Sequence, residues 1–338
     1  MLGSETVARL KLRGHDITIL HRGRWYWDSA LRIKPWVNFI QCDRDHFNGC
    51  ADKLTDITRE KGMFDVVMDF SGYKPSHIKD FMRKMRSKIR RYIYISTDSV
   101  YEVCKEPSHD GRTLEVDAVR PEDPNTREAY AQKDLYGSAK LDCEDAIKRE
   151  KELWNIPYMI LRLPDVIGLR DNTDRFWNYL LWMRFHDIFD RPLALPPSLH
   201  NRSLSFVFAE DVANLLVVIP EYEDGVFNFA YNLAFRETVT LEKFLRIMAK
   251  YLGVPEVKFD KSNERGTRYY PSVKRGSLDI SMAYNYLHWN PSMIELGIRK
   301  SVQFYEYAMR SSDLRINERQ SSTVWMFRLM LWERLKND

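Results

Sequence analysis

The side chains with the clearest chemical potential are those of Tyr136 and Lys140, which lie four positions apart. Residues at positions i and i+4 share one face of a helix. A nearby ammonium group lowers the pKa of a phenol because an opposite charge stabilises the ionised form. A tyrosine tuned in this way can take a proton from a substrate hydroxyl near neutral pH. The pair therefore indicates proton transfer to or from an alcohol or a ketone.

A strand-like run that precedes this pair ends in polar side chains. Residues 92–95 are apolar or aromatic, and Ser96, Thr97 and Asp98 follow directly. We expect Thr97 to hydrogen-bond the same substrate oxygen as Tyr136 and hold it in place, with Asp98 beside it. Alone, a tyrosine and a lysine at this spacing are more typical of a solvated helix face. The strand that ends in hydroxyls and a carboxylate favours a catalytic site.

The order of these motifs resembles the extended short-chain dehydrogenase/reductase family, the nucleotide-sugar epimerases and dehydratases. The resemblance runs through residues 3–307 and is carried by residues 3–23, 64–72, 92–101, 161–168, 206–213, 225–230 and 287–291. It implies an α/β fold with a doubly wound, Rossmann-like parallel sheet and a smaller C-terminal α/β substrate lobe. The implied units are a dinucleotide-binding domain truncated at its N-terminus (1–163), a substrate lobe interleaved with the end of the sheet (164–310) and a C-terminal helical extension (311–338).

The apolar pattern independently favours alternating, parallel βαβ units. Runs rich in β-branched and aromatic residues predict strands at residues 17–20, 37–41, 66–70, 92–96 and 158–163. Between them, Ile78, Met82, Met85 and Ile89 recur at helical spacing. Lysines and arginines fill other positions of the same predicted helix, a pattern most typical of a solvated face. Nucleic-acid binding there is the less favoured interpretation.

The composition is that of a globular protein. A chain of 338 residues that is 44% hydrophobic can bury a large core. No apolar run of about 18 residues predicts a transmembrane helix and no leader is recognised, so we expect a cytoplasmic protein. Cys42, Cys50, Cys104 and Cys143 lack the spacing of a zinc site or redox pair, so we expect reduced thiols and no metal. The net charge of +4 implies no particular partner.

The start of the sequence lacks part of the implied cofactor motif. A dinucleotide-binding half begins with a strand and a glycine-rich turn that meets the pyrophosphate. By resemblance, Gly3 is the third glycine of that turn, so the first strand and first two glycines are missing. We expect this loss to expose the flanking strands and to remove the phosphate cradle. A truncated gene model is the favoured explanation, and a short variant with impaired cofactor binding is the alternative.

The resemblance implies NAD or NADP as cofactor and places its other contacts at strand ends. His21 and Arg22 follow the second strand, where an NAD-specific carboxylate is absent, so Arg22 and perhaps Arg24 favour NADP slightly. Asp43 resembles an adenine-contacting aspartate, although an ordinary turn residue is nearly as well supported. The remaining implied cofactor contacts are Phe70, Ser71, Gly72, Ser96, Leu163, Tyr136 and Lys140.

Several reactions remain open within the resemblance. Dehydratases place an aspartate and a glutamate after the active threonine. Asp98 fits that pattern, but Ser99 stands at the glutamate position, which counts against sugar dehydration. Epimerases and simple reductases need only Thr97, Tyr136 and Lys140. The sequence does not separate these two oxidoreductase reactions.

Asp165, Arg202 and Arg275 are the implied substrate contacts. Asp165 stands where the family often has an asparagine, and a carboxylate near a diphosphate is unfavourable. Arg202 lies near the position of one family arginine, and Arg275 matches a later phosphate-binding arginine. We expect a small-molecule substrate with a hydroxyl or keto group, with a nucleotide sugar as one candidate. A catalytically weakened, cofactor-sensing or RNA-binding scaffold is the alternative function, and a homodimer is implied by resemblance.

Two segments depart from the family pattern. Residues 104–133 are polar and separate Thr97 from Tyr136 by 39 positions, and a lid and a surface insertion are equally favoured for them. Residues 324–335 are apolar on more than one face. We expect this C-terminal segment to dock on the body of the protein or on a partner subunit, with membrane-surface association as the lesser alternative.

Overall fold

Strands and helices alternate through the first half of the chain, as the apolar pattern predicts. The computed structural model describes residues 1–186, 192–262 and 269–310. Its strands are β1 (Thr18–His21), β2 (Asn38–Gln41), β3 (Phe64–Asp69), β4 (Ile89–Thr97), β5 (Tyr158–Leu163), β6 (Asp165–Ile167), β7 (Leu193–Ala194), β8 (Phe206–Phe208), β9 (Phe229–Asn232) and β10 (Phe259–Asp260). Its helices are α1 (Leu2–Leu12), α2 (Ser29–Arg32), α3 (Asn48–Lys61), α4 (Pro75–Met85), α5 (Pro124–Lys133), α6 (Leu135–Trp154), α7 (Arg175–Arg184), α8 (Ala209–Val218), α9 (Leu241–Leu252), α10 (Ser281–Leu287) and α11 (Ile294–Arg310). The five strands predicted from sequence are confirmed, with small shifts at their ends.

The main sheet contains four parallel strands in the order β3-β4-β5-β9. The register of β4 and β5 places Tyr92 opposite Tyr158 and Thr97 opposite Leu163. Both strands are buried along this paired stretch, as expected for a parallel sheet that is covered on both faces. Because the strands are parallel, Asp69 at the end of β3 lies at the same edge as Thr97 and Leu163.

A second parallel pair, β1 and β2, forms a separate small sheet. A cavity of about 1260 Å³ lies between β1 and β3, and every residue of both strands lines it. We call this space the interstrand cavity. Most residues of β1 and β3 are only partly buried, in contrast to those of β4 and β5. The architecture is thus a Rossmann-like α/β fold whose parallel sheet is divided between β1 and β3.

A smaller second lobe packs around aromatic side chains. Phe206 stacks on Phe244 with ring centroids 4.4 Å apart, and Tyr270 meets both rings edge-on. Helices α7, α9 and α11 surround this core. Strand β9 pairs with β5 at the edge of the main sheet, so the later part of the chain is interleaved with the first half. The domain boundary at residue 163 stays a prediction.

Two details expected from the sequence are wrong. Helix α4 ends at Met85, and Ile89 instead starts β4, where it pairs with Phe64 of β3. Cys42 and Cys50 form a disulfide with Cα atoms 5.7 Å apart, contrary to the expectation of reduced thiols. The chain turns between the end of β2 and the start of α3, and this turn brings together two cysteines eight positions apart.

The polar stretch 104–133 has structure of its own. It contains α5, and Thr113 forms a parallel bridge with Leu278 of the second lobe. The buried carboxylate of Glu115 accepts a hydrogen bond from the Asn232 N–H at 2.8 Å. The first part of the stretch therefore packs against the second lobe, while a lid function stays a prediction.

The predicted C-terminal extension, residues 311–338 with the apolar segment 324–335, lies outside the described residues. Within the described part of the chain, none of the helices combines the length and apolar character needed to cross a membrane.

Candidate active site

Tyr136 and Lys140 lie in the first turns of α6. This helix begins after Asp134, whose carboxylate accepts a hydrogen bond from the Gly137 N–H at 2.8 Å. Such an N-cap satisfies an amide that has no partner within the helix. Tyr136 is half-exposed, whereas Lys140 is buried. The helix predicted for this pair is confirmed, and its two side chains have different environments.

Gly137 allows α6 to approach the turn after β4 at backbone distance. A Cβ added at Gly137 would lie 2.2 Å from the Ser99 carbonyl oxygen. Thr97 caps this turn, because its hydroxyl accepts a hydrogen bond from the Ser99 N–H at 3.2 Å. The Thr97 side chain lies close enough to the Tyr136 phenol to act on the pKa of that phenol. The structure therefore brings together the two motifs that the sequence places 39 positions apart.

Desolvation raises the pKa of the Tyr136 phenol to about 12. Tyr73, whose ring centroid lies 6.3 Å from that of Tyr136, acts in the same direction. The Thr97 side chain and the charge of Arg175 oppose this rise in the pKa of Tyr136. This direction is the reverse of the lowering by Lys140 that the sequence predicts. Tyr136 is consequently a neutral phenol at neutral pH in this arrangement.

Lys140 links the ends of β3 and β4. Its ammonium group donates to the Ile95 carbonyl at 2.6 Å and to the Gly72 carbonyl at 3.2 Å. The ammonium also lies 4.1 Å from the ring centroid of Tyr94. Burial lowers the pKa of Lys140 to about 8. The two carbonyls use two of three ammonium donors, so a third remains for a bound hydroxyl group.

Asp98 is a buried carboxyl group next to Thr97. Burial raises its pKa well above the usual 3.8, and the negative charges of Asp165 and Glu102 add to this rise. The Thr97 hydroxyl donates to Asp98 at 3.4 Å. The surroundings of Asp98 therefore favour the neutral acid, which can donate a hydrogen bond or a proton.

Asp165 is compensated by a cation that sequence reasoning missed. Arg175, in the first turn of α7, forms an ion pair with Asp165. Ser272 donates to the same carboxylate from its N–H at 2.9 Å and its hydroxyl at 2.7 Å. Asp165 therefore has a counter-charge within the protein, which the sequence argument did not consider. The only hint of this pair in the sequence is weak: Arg175 is the first residue of the helix that follows the 161–168 motif.

Arg202 and Arg275 both bind backbone carbonyl groups. Arg202 donates to Val273 and Arg275 at 3.0 and 2.8 Å. Arg275 donates to Cys104 and Lys105 at 2.7 and 2.6 Å. These hydrogen bonds connect the loop around Val273 to neighbouring segments. They identify a structural task for both arginines, and their contact with a substrate stays a prediction.

The opposite face of β4 carries a buried ionic network. Ser96 donates to Glu144 at 2.6 Å, and Arg162 donates to the same carboxylate at 2.7 Å. Arg162 also donates to the Tyr101 hydroxyl at 3.0 Å. Glu144 and Arg162 are almost completely buried. The network joins α6 to β4 and β5, and no spacing in the sequence pairs these two charges.

Part of the predicted cofactor set lines the interstrand cavity, namely Gly3, His21, Phe70 and Ser71. Gly3 lies in the first turn of α1, where an added Cβ would be 3.7 Å from the Phe70 ring. Gly72 lies outside this cavity lining and is tightly enclosed. An added Cβ there would be 2.9 Å from side-chain atoms of both Ile78 and Tyr94, so the position requires glycine.

The other predicted contacts lie at the ends of β1, β2 and β5. Arg22 and Arg24 are exposed directly after β1. Asp43 accepts a hydrogen bond from the Asp45 N–H at 3.1 Å, which is the turn role weighed for it above. Leu163 is buried at the end of β5.

The donor set along this edge fits a nicotinamide dinucleotide. Lys140 and Tyr136 offer polar atoms near the end of β4, and Arg22 offers a cation after β1. Between them, the first turn of α1 presents backbone N–H groups of the kind that bind a pyrophosphate.

Solved structures share this architecture at low sequence identity. The UDP-glucose 4-epimerase of Thermotoga maritima, solved with UDP-glucose, is 15% identical with a TM-score of 0.69 over 91% of this chain and 96% of that chain. The UDP-glucuronic acid 4-epimerase of Bacillus cereus, in complex with UDP-glucuronic acid and NAD, is 18% identical with a TM-score of 0.67 over the same shares. The dTDP-glucose 4,6-dehydratase of Bacillus anthracis, in complex with NAD, is 16% identical with a TM-score of 0.66 over 91% of this chain and 94% of that chain.

Sequence comparison identifies the family. No curated protein matches the chain significantly. The model of the NAD-dependent epimerase/dehydratase family matches residues 1–234, well over half of the sequence. The chain therefore belongs to the NAD-dependent epimerase/dehydratase family.

Proposed function

We propose that this protein is an NAD(P)-dependent oxidoreductase of the epimerase or reductase type that acts on a hydroxyl or keto group, with a nucleotide sugar as the first substrate candidate. The observation that carries the proposal is the close approach of α6 at Gly137 to the turn capped by Thr97, which brings Tyr136 near Thr97 with Lys140 one turn further along the helix. Family membership and the substrates named for the similar structures support the chemical class.

The proposed mechanism assigns one task to each side chain. A bound nicotinamide cofactor supplies or accepts the hydride. Tyr136 exchanges a proton with the substrate oxygen, and Thr97 orients that oxygen by a hydrogen bond. With a pKa of about 12, Tyr136 is ready to give a proton to an oxygen that develops negative charge during ketone reduction. In the oxidative direction, a positive charge near the phenol must first lower this pKa.

Lys140 has a positioning task in this proposal. Its bonds to the Ile95 and Gly72 carbonyls hold the ammonium between two strand ends, and its third donor is assigned to the cofactor ribose. Asp98 is assigned a supporting role as a neutral acid. Ser99 cannot act as a base that removes a carbon-bound proton at neutral pH, so dehydration remains disfavoured.

For the cofactor, we retain NAD or NADP with a slight preference for NADP. The similar structures are described with NAD. The exposed Arg22 and Arg24 after β1 support NADP, because a guanidinium group can pair with a 2′-phosphate. Competition between the two reduced cofactors measures the preference directly.

The substrate proposal includes Asp165, Arg202 and Arg275, with Arg175 added from the structure. Among these four residues, Arg175 is the one whose positive charge acts on Tyr136, because it partly offsets the rise in the pKa of that phenol. We therefore expect Arg175→Met to alter the apparent KM of a charged substrate more than Arg202→Met does.

The test is an assay with NAD⁺ or NADP⁺ and a panel of UDP- and dTDP-sugars, followed by proton NMR of the sugar products. We expect epimerised or reduced product from the parent chain and at least about a 100-fold loss with Tyr136→Phe, in the range expected for removing an acid–base group. Tyr73→Phe is the matched control, because Tyr73 lies beside Tyr136. Equal activity of parent and Tyr136→Phe would remove the proposed role of the phenol.

The alternative function, a cofactor-sensing or RNA-binding scaffold, rests on the basic residues of α4 and the following turn. In the structure Arg83 pairs with Glu150, Lys84 lies 3.4 Å from Asp52, and Arg86 packs on a tryptophan ring. These partners favour an ordinary solvated surface. Retention of RNA that is lost on charge reversal of Arg83, Lys84 and Arg86 would instead support the scaffold.

We also propose a homodimer and a cytoplasmic location, both by analogy with the family. Light scattering of the purified chain measures the first, and cell fractionation the second. The division into a dinucleotide-binding part (1–163), a substrate lobe (164–310) and an extension (311–338) is proposed as well, and limited proteolysis tests it.

A further inference from the structure

A buried carboxylate, that of Asp69, ends β3 and begins the turn at residues 69–72, which we call the β3 turn. Arg44 donates two parallel hydrogen bonds to this carboxylate, at 2.5 and 2.8 Å. The Tyr92 hydroxyl also donates to it, as does the Ser71 N–H at 2.9 Å. A bidentate pair fixes the orientation of both groups as well as their distance. The position of Asp69 is therefore fixed by the segment after β2, by β4 and by its own turn.

The other end of the β3 turn meets Lys140. The Gly72 carbonyl accepts a hydrogen bond from the Tyr94 hydroxyl at 2.7 Å and one from the Lys140 ammonium at 3.2 Å. A Cβ added at Gly72 would lie 3.0 Å from an Asp69 carboxylate oxygen, so the two ends of the turn are close together. A displacement of Asp69 would therefore also displace the carbonyl that binds Lys140.

The charge of Asp69 acts on Lys140 as well. Burial lowers the pKa of Lys140 to about 8, and Asp69 is the strongest influence in the opposite direction. The other groups that act on the ammonium or face it are Arg44, Tyr73, Tyr94, Cys143 and Glu144. Of these, Cys143 and Glu144 also raise the pKa of Lys140, whereas the charge of Arg44 lowers it. The two members of the ion pair thus have opposite effects on the same ammonium group.

We propose that the ion pair of Arg44 and Asp69 is a positioning pair for Lys140, which fixes the β3 turn and, through the Gly72 carbonyl, the ammonium group. Both residues act through Lys140 and are not catalytic residues. The assignment of Lys140 to the cofactor ribose rests on the proposed function, whereas the dependence of Lys140 on the ion pair does not. Because Arg44 directly follows Asp43, the pair also links the two predicted ends of the cofactor site.

The test compares two variants of the full chain that break the same ion pair with opposite changes of charge. Asp69→Asn removes the negative charge, and Arg44→Gln removes the positive charge. The readout is the pH titration of the Lys140 side chain by NMR of protein with ¹³C- and ¹⁵N-labelled lysine, and Lys140→Met assigns the signal. We expect the pKa of Lys140 to fall by at least about one pH unit in Asp69→Asn and to rise in Arg44→Gln. Simple loosening of the turn would instead hydrate Lys140 and raise its pKa in both variants.

Glu150→Gln is the matched control. Glu150 is also a buried carboxylate on the same helix as Lys140, and it forms an ion pair with Arg83. It lies about 15 Å further along α6, so we expect the Lys140 titration to stay unchanged. A further variant, Arg44→Lys, keeps both charges but loses the bidentate geometry. We expect it to speed the exchange of the Lys140 ammonium protons with water.

A rise in the pKa of Lys140 in Asp69→Asn, or no change, would overturn the proposal. If neither of the variants that remove a charge folds, Arg44→Lys decides, and unchanged proton exchange at Lys140 would then overturn it. Titration of the parent with NADH and NADPH separates this inference from the proposed function. Shifts of the Lys140 pKa in the expected directions without cofactor binding would support the positioning pair and contradict the assignment of Lys140 to the cofactor.

Discussion

The substitution Gly137→Ala tests how closely α6 must approach the turn after β4. The new Cβ would lie 2.2 Å from the Ser99 carbonyl oxygen and 2.7 Å from its carbon. Both atoms belong to the backbone, so no side-chain rotation can relieve the overlap. Ordinary contact begins at 3.4 Å, so helix and turn must separate by about 1 Å.

The magnitude follows from two opposing effects. Overpacking a tight contact costs about 1–3 kcal/mol, occasionally more. Replacing glycine by alanine inside a helix stabilises the helix by about 1 kcal/mol. With an overlap of this size against backbone, we expect Gly137→Ala to lower the free energy of unfolding by about 2 kcal/mol. A shift of about 1 Å between Tyr136 and Thr97 would also cost about 100-fold in catalytic rate.

Gly49→Ala is the matched control. Gly49 also lies in a helix, α3, but nothing lies within 4 Å of the Cβ that alanine would add. We expect this variant to gain up to about 1 kcal/mol. Urea denaturation of both variants and the parent measures the two changes. A Gly137→Ala variant that is as stable as the parent would refute the close approach of α6 to the turn.

Three further predictions concern buried charges. Lys140 has a pKa of about 8 in the folded state, below its ordinary value of 10.5. Between these two pH values the unfolded state therefore binds more protons than the folded state. The free energy of unfolding of the parent, relative to that of Lys140→Met, should rise across this window by about 1.4 kcal/mol per pH unit. Asp98 has a raised pKa, so the folded state binds more protons above pH 3.8; stability of the parent relative to Asp98→Asn should fall as pH rises from there. Both comparisons use urea midpoints over a pH series, and a flat difference in either would contradict the assigned burial. Glu144→Gln leaves Arg162 buried without its counter-charge and should cost about 3–5 kcal/mol in urea unfolding, whereas joint replacement of the pair by leucine and methionine should recover most of that loss.

The sequence predicted the elements that depend on local pattern. Apart from the buried Arg162, strand β5 is an apolar run of the kind that a two-sided parallel sheet needs, and its predicted bounds are those of the structure. Ile89 shows the limit of such reasoning, because a residue at helical spacing can equally continue into a strand after a short turn. The spacing of apolar residues does not show whether a residue at the end of a helix packs within that helix or pairs with another strand.

The contacts that sequence reasoning missed are all made between distant segments. Arg175 meets Asp165 only because α7 begins beside the strand that carries that carboxylate. The disulfide between Cys42 and Cys50 depends on the direction of the chain after β2. The pKa of Tyr136 depends on desolvation, which is a property of the assembled site and has no signature in the spacing to Lys140.

The central claim is that Tyr136 and Lys140 of α6 contact the nicotinamide half of a bound dinucleotide cofactor. Titration of the purified chain with NADH and NADPH, followed by nicotinamide fluorescence, tests it most directly. The account predicts saturable binding in the micromolar range, about 8 kcal/mol, that weakens in Lys140→Met and survives in Tyr73→Phe. Absence of saturable binding for both cofactors would contradict it.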